Sequence, residues 1–137
     1  MLAELNTSLL VGYAPIDAEH QTLAALIDAF LEMVDGGGDR HRVYDAVDGL
    51  SVQFGRHFEH EKAMMAMHRY PDTENHLAEH TRLMGDLGGF LLRVDETSDD
   101  DLRTVARFLE DWFSLHVSTS DRALGKFLKD RQAKAGG

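Results

Sequence analysis

The sequence predicts an all-α fold, an antiparallel up-down-up-down four-helix bundle, on three observations. Four stretches carry apolar residues at alternating three- and four-residue steps, the spacing that lines one face of an α-helix. Three breaks separate them: Gly36-Gly37-Gly38, Tyr70-Pro71, and the polar run from Glu96 to Asp101. The third observation is chemical. Seven metal-type donors, His20, His57, Glu61, His76, His80, His116 and Asp121, fall where helix periodicity puts the core. Buried without partners they would cost on the order of several kcal/mol each, so they need a strong common partner, most simply a pair of metal ions.

The first helix is read from Asp17, with Leu23, Leu26, Ile27, Phe30, Leu31 and Val34 on its apolar face and the glycine triplet as its stop. Asp39 can cap the second, whose seam runs Val43, Val47, Leu50, Phe54, His57, Glu61, Met64 and His68. Proline disfavours helical geometry in the residue before it, so Tyr70-Pro71 should end this helix and Asp72 should cap the third. The third seam reads His76, His80, Leu83, Leu87, Phe90 and Val94. Gly85, Gly88 and Gly89 inside it cost about 1 kcal/mol each relative to alanine, which calls for either close helix contact or a kink.

The fourth helix is expected from about Asp99 to about Lys129, with Ser98 and Asp101 at capping-box spacing. Its seam of Leu102, Val105, Leu109, Trp112 and His116 resumes one residue late at Asp121, Leu124 and Leu128. Positions five apart lie about 140° apart on an ideal helix, so His116 and Asp121 would not serve one site. A single π turn between them would bring both into line.

The 137 residues fit one domain, divided into an N-terminal arm over 1–16, a bundle over about 17–130 and a flexible tail over 131–137. No internal repeat is visible. The formal charge of −10, with no basic cluster, argues against nucleic acid as a partner. No window approaches the roughly 20 apolar residues that span a bilayer, and Met1 to Pro15 lacks the basic start of a secretory signal. The expected location is therefore the cytoplasm, away from membranes. Absence of cysteine leaves only nitrogen and oxygen to hold a metal, a donor set suited to iron or manganese and tolerated by zinc.

His57 with Glu61, and His76 with His80, are four apart and project from one helix face. His20 and His116 add donors from the other two helices. If two six-coordinate ions are assumed, five imidazoles, two bridging carboxylates and a bridging oxide or hydroxide leave one position for a small ligand such as dioxygen. His41 and His60 read as solvated, and His68 as a histidine complementing the dipole at a helix end. Trp112, Phe54, Phe90 and Met64-Met65 read as packing.

The pattern resembles the hemerythrins, non-haem di-iron oxygen-binding proteins, from Val11 to Asp121. The matching pieces are Val11-Gly12-Tyr13 leading to Ile16-Asp17-Ala18-Glu19-His20; His57-Phe58 with Glu61 and Met64-Met65; Tyr70-Pro71 before His76 and His80; and Trp112 and His116 with Asp121. The resemblance implies two non-haem iron ions with a bridging oxide or hydroxide. His76, His80 and His116 would hold one iron, His20 and His57 the other, and Glu61 and Asp121 would bridge them. Dioxygen would bind reversibly at the iron with two histidines, for storage, delivery or sensing, without enzymatic turnover. A di-iron oxidase or peroxidase is the alternative, though the chain lacks the Glu-x-x-His segments of ferritin-like catalytic sites. A sensing role would need a separate, unidentified protein partner. Phe113 departs from the leucine common beside the oxygen pocket of relatives, which implies altered ligand entry or autoxidation. Lys62 replaces an acidic residue common after the bridging glutamate and should face outward.

Overall fold

The computed structural model describes residues 10–136, which form an antiparallel four-helix bundle. Helix α1 spans Ala14–Asp35, three residues longer at its start than the sequence suggests. Pro15 stands in its first turn, where a missing N–H and a fixed φ fit helical geometry, and the early start brings Ile16 into the core. The connection to α2 uses Gly37 and Gly38 at φ +116° and +62°. A Cβ at Gly38 would come within 2.7 Å of the Leu102 side chain and would sit on left-handed backbone, so a side chain at this corner is strained.

Helix α2 spans Arg40–His68, and Asp39 caps it by accepting the N–H groups of His41 at 2.9 Å and Arg42 at 3.3 Å. Its end comes before Tyr70-Pro71. Arg69 turns left-handed at φ 54°, which lets the Tyr70 N–H reach back to the Met65 carbonyl at 2.9 Å. Helix α3 spans Thr73–Leu91. Asp72 occupies its cap position, but the carboxylate accepts the Asn75 side-chain amide at 2.7 Å in place of a backbone N–H.

After a short 3₁₀ turn at Val94–Glu96, Ser98 caps α4, Asp99–His116, by accepting the Asp101 N–H at 3.1 Å. One π turn, Val117–Asp121, joins α4 to α5, Arg122–Gly136, and the three make the fourth rod. The one-residue slip in the seam is thus absorbed where the spacing placed it. Helix α5 continues past Lys129, because Gln132-Ala133-Lys134-Ala135 are good helix formers. Gly137 and residues 1–9 of the arm lie outside the described residues.

Helix α1 packs against α2 and α4, and α2 against α3. The seams hold with small rotations. Met65, Ala106 and Phe113 are buried where the strict alternation put Met64, Val105 and Trp112, which are half-buried, as expected when a 3.6-residue helix drifts against a 3.5-residue pattern. The glycines of α3 are not explained by close contact, since a Cβ at Gly85 or Gly88 would meet nothing within 4 Å. Gly85 and Gly89 instead open a surface groove of about 320 Å³ with Phe90, Val105 and Phe108. Beside the bundle, the arm is fixed to α1 and α5. The Val11 N–H donates to Asp17 at 2.8 Å, and Val11 rests on Gly125, where a Cβ would approach it to 2.8 Å. Among the described residues no helix is long and apolar enough to cross a membrane.

Candidate metal centre

All seven predicted donors converge inside the bundle, each at most 4% exposed. Helix α1 delivers His20; α2 delivers His57 and Glu61 from one face; α3 delivers His76 and His80 from one face; the fourth rod delivers His116 and Asp121. They form two overlapping groups, Glu61, His76, His80, His116 and Asp121, and His20, His57, Glu61 and Asp121, with the donor atoms of each within 4.8 Å of one another. Glu61 and Asp121 belong to both. The π turn makes this sharing feasible for Asp121, whose Oδ1 lies 3.1 Å from His116 Nε2 although five residues separate them.

Several donor atoms are close together yet lack hydrogen-bond partners. His57 Nε2 lies 3.0 Å from Glu61 Oε2, and His20 Nε2 lies 2.9 Å from Asp121 Oδ2, yet His20 Nε2, His57 Nε2 and Glu61 Oε2 have no hydrogen-bond partner. These atoms are close without being aligned for a hydrogen bond, as donors aimed at common points between them would be. In the other group His80 Nε2 and His116 Nε2 lie 3.1 Å apart, two imidazole nitrogens that a cation between them would satisfy. The residues fit a pair of cations with nitrogen and oxygen ligation, one with five donors and one with four.

Burial and neighbouring charge pull the donors in opposite directions. Burial pushes the His57 imidazole down, but Glu61, Glu19 and Asp121 outweigh it and raise its pKa to about 9. Burial likewise opposes protonation of His76, and Asp121 and Glu61 raise it to about 9. Burial lowers His80, with the charges of His76 and His116 adding to the effect against Glu61. Burial raises both carboxylates, and the surrounding imidazoles override it, holding Glu61 and Asp121 below the usual carboxylate range.

Two carboxylates missed in the sequence orient the imidazoles from behind. Glu19 accepts His57 Nδ1 at 2.9 Å, and Glu79 accepts His116 Nδ1 at 2.9 Å and the Ser120 hydroxyl at 2.8 Å. Fixing Nδ1 turns Nε2 into the site. A signal was available: each carboxylate immediately precedes a donor, in Glu19-His20 and Glu79-His80. His60 is 63% exposed, as expected, but its Nδ1 also binds Glu19. His41 is solvated, His68 lies outside both groups, and Lys62 faces outward. Aromatic rings wall the donors. Phe58 stacks on His80 at 3.7 Å, Trp112 on His116 at 4.5 Å, and Phe113 meets His20 edge-on at 5.8 Å.

Residues 11–128 match the family model of the hemerythrin HHE cation binding domain. The chain is 27% identical over 126 residues to the bacteriohemerythrin of Methylococcus capsulatus, covering 92% of each. Among solved structures, a wild-type hemerythrin superposes with a TM-score of 0.74 at 23% identity, covering 85% of this chain and 88% of that one. A leucine-to-tyrosine mutant of a hemerythrin gives 0.75 at 23% identity with the same coverage. These two likenesses speak to the fold, and the match over residues 11–128 to the lineage: the chain belongs to the hemerythrin family.

Proposed function

We propose that this protein binds dioxygen reversibly at a pair of non-haem iron ions, as a carrier, store or sensor and not as an enzyme. The observation that carries the reading is the pair of donor groups sharing Glu61 and Asp121 while differing in size, five donors against four. His76, His80 and His116 would hold one ion, His20 and His57 the other, with both carboxylates bridging and an oxide or hydroxide between the ions. When bound, the pair supplies the electrons that attach and release dioxygen. The chain supplies the rest. Glu19 and Glu79 hold His57 and His116 in one tautomer, and the rings of Phe54, Phe58, Trp112 and Phe113 restrict water around the donors.

The test is metal analysis followed by anaerobic reduction, with visible spectra before oxygen, after oxygen and under vacuum. About two irons per chain and a charge-transfer band that appears with oxygen and disappears under vacuum are the expected results. Irreversible bleaching, or rapid peroxide turnover with no stable oxygen adduct, would replace carriage by oxidase or peroxidase chemistry. His57→Ala should impair oxygen uptake and lower metal content; equal losses in His60→Ala would contradict the ligand assignment.

A further inference from the structure

One end of the bundle carries a cationic cleft. Helix α5 holds Arg122, Lys126, Lys129, Arg131 and Lys134 against a single acid, Asp130, in a chain whose formal charge is −10. Where α5 passes the end of α2, a cleft of about 750 Å³ opens, lined by Tyr13, Met67, His68, Arg69, Arg131 and Lys134 and by no described carboxylate. This corrects the expectation of no basic cluster: Arg69 stands far in sequence from the cations of α5 that fold beside it.

These cations differ from those at the other end of α2. There Arg40 pairs with Asp99 at 2.7 Å and Arg103 with Asp100, so their charge is neutralised within the fold. Among the described residues Arg69, Arg131 and Lys134 have no acidic partner. Arg131 instead donates to the His68 carbonyl, the last of α2, at 3.3 Å, and its guanidinium lies 5.3 Å from the centre of the Phe127 ring. Arg69 also holds left-handed backbone at φ 54°, which a glycine would take with less strain. From the cleft, rings lead inward: Phe127 lies 5.0 Å from Tyr70, and Tyr70 lies 6.4 Å from His76, a donor of the metal centre.

We propose that this cleft is the docking surface of an acidic one-electron carrier protein that keeps the metal pair reduced. The proposal rests on the di-iron reading. Dioxygen that escapes from the site as hydrogen peroxide removes two electrons and takes up two protons from water, leaving the pair diferric and unable to bind dioxygen again. Two encounters, each moving one electron from the reduced carrier to the pair, restore the diferrous state and release two molecules of oxidised carrier. Charge selects the carrier, since a cationic patch on an acidic chain attracts acidic surfaces and steers them into place. The lining selects a protein over a small anion, because tyrosine, methionine and arginine are enriched where proteins meet, and Met67 is 76% exposed. Phe127 and Tyr70 make this end a short way to His76, and a brief redox encounter needs only a small interface.

The experiment mixes the oxidised, iron-loaded chain, without air, with a reduced plant-type [2Fe–2S] ferredoxin, an acidic one-electron carrier, and follows loss of the ferric absorption by stopped flow. Carbodiimide cross-linking of the same two proteins, with and without iron in the chain, is mapped by mass spectrometry. Reduction should slow as salt rises, and cross-links should join ferredoxin carboxylates to Lys134. Arg69→Glu with Arg131→Glu should slow reduction at low salt by about tenfold or more and weaken the cross-link. Arg82→Glu with Arg107→Glu, at exposed positions of α3 and α4, makes the same change in net charge and should slow it less than about twofold. Equal slowing by the two pairs would overturn the proposal, as would a wild-type chain that forms no cross-link. If the first pair does not fold, Lys134→Glu against Arg82→Glu makes the same comparison. Retention on anionic lipid vesicles without a ferredoxin cross-link would overturn it in favour of a membrane surface. A chain with two irons whose reduction ignores the cleft sinks this proposal alone, whereas one holding no metal pair sinks the reading beneath it.

Discussion

The two shared carboxylates reach the same place from different backbones. On α2, Glu61 follows His57 by four residues in an unbroken α-helix; on the fourth rod, Asp121 follows His116 by five and needs the π turn Val117–Asp121 to face the same way. Aspartate is one methylene shorter than glutamate. The comparison teaches that side-chain length and backbone winding are adjusted together, a long acid on a regular turn and a short one on a wide turn.

The largest effect should come from removing the regular support. Glu61→Ala deletes a donor common to both groups, so metal content should fall from two ions to fewer than one per chain, measured by elemental analysis after dialysis. Next comes the wide turn. Deleting Thr119 would restore four-residue spacing and a continuous ladder, but the aspartate would then fall short. Metal affinity should drop at least about tenfold, a loss of about 1.4 kcal/mol, while the metal-free chain melts no lower than wild type. Adding Asp121→Glu to the deletion should recover the ions. Failure of this pair to rescue, with helix content intact, would break the comparison.

Smaller losses should follow from the carboxylates behind the imidazoles. Glu19→Ala and Glu79→Ala should each weaken metal binding by about 10- to 100-fold, and Ser120→Ala by less, because it leaves Glu79 on His116. Competition with a coloured chelator would rank them. The smallest effect is that of pH on the metal-free chain. His57 and His76 have pKa values raised from 6.5 to about 9, so the stability they contribute is complete below 6.5 and is lost as pH rises through 9. Melting temperature of the metal-free form should fall across that window. Metal affinity should rise over it, since ligation requires neutral imidazole. Parallel trends would show that protons do not substitute for the cations.

Much of this was legible because the interior is polar where it must be. Seven donors at helical spacing define a face as clearly as apolar residues do, and the slip from His116 to Asp121 had one economical backbone solution. Other features were hidden for physical reasons. Ile16 looked like part of the arm, since Pro15 suggested a boundary and instead served as a first-turn residue. Glu19 and Glu79 sit at partly exposed positions, 29% and 43%, where a glutamate ordinarily means solubility; only their reach across to a neighbouring helix gives them their role.

Trp112 is the one tryptophan in the sequence, and its ring lies 4.5 Å from that of His116, nearly parallel. The molecule therefore carries an internal fluorophore pressed against a single half of its centre. Emission should dim when iron enters beside His116 and respond far less to filling of the His20 half, so the order in which the halves load can be followed in real time without any label.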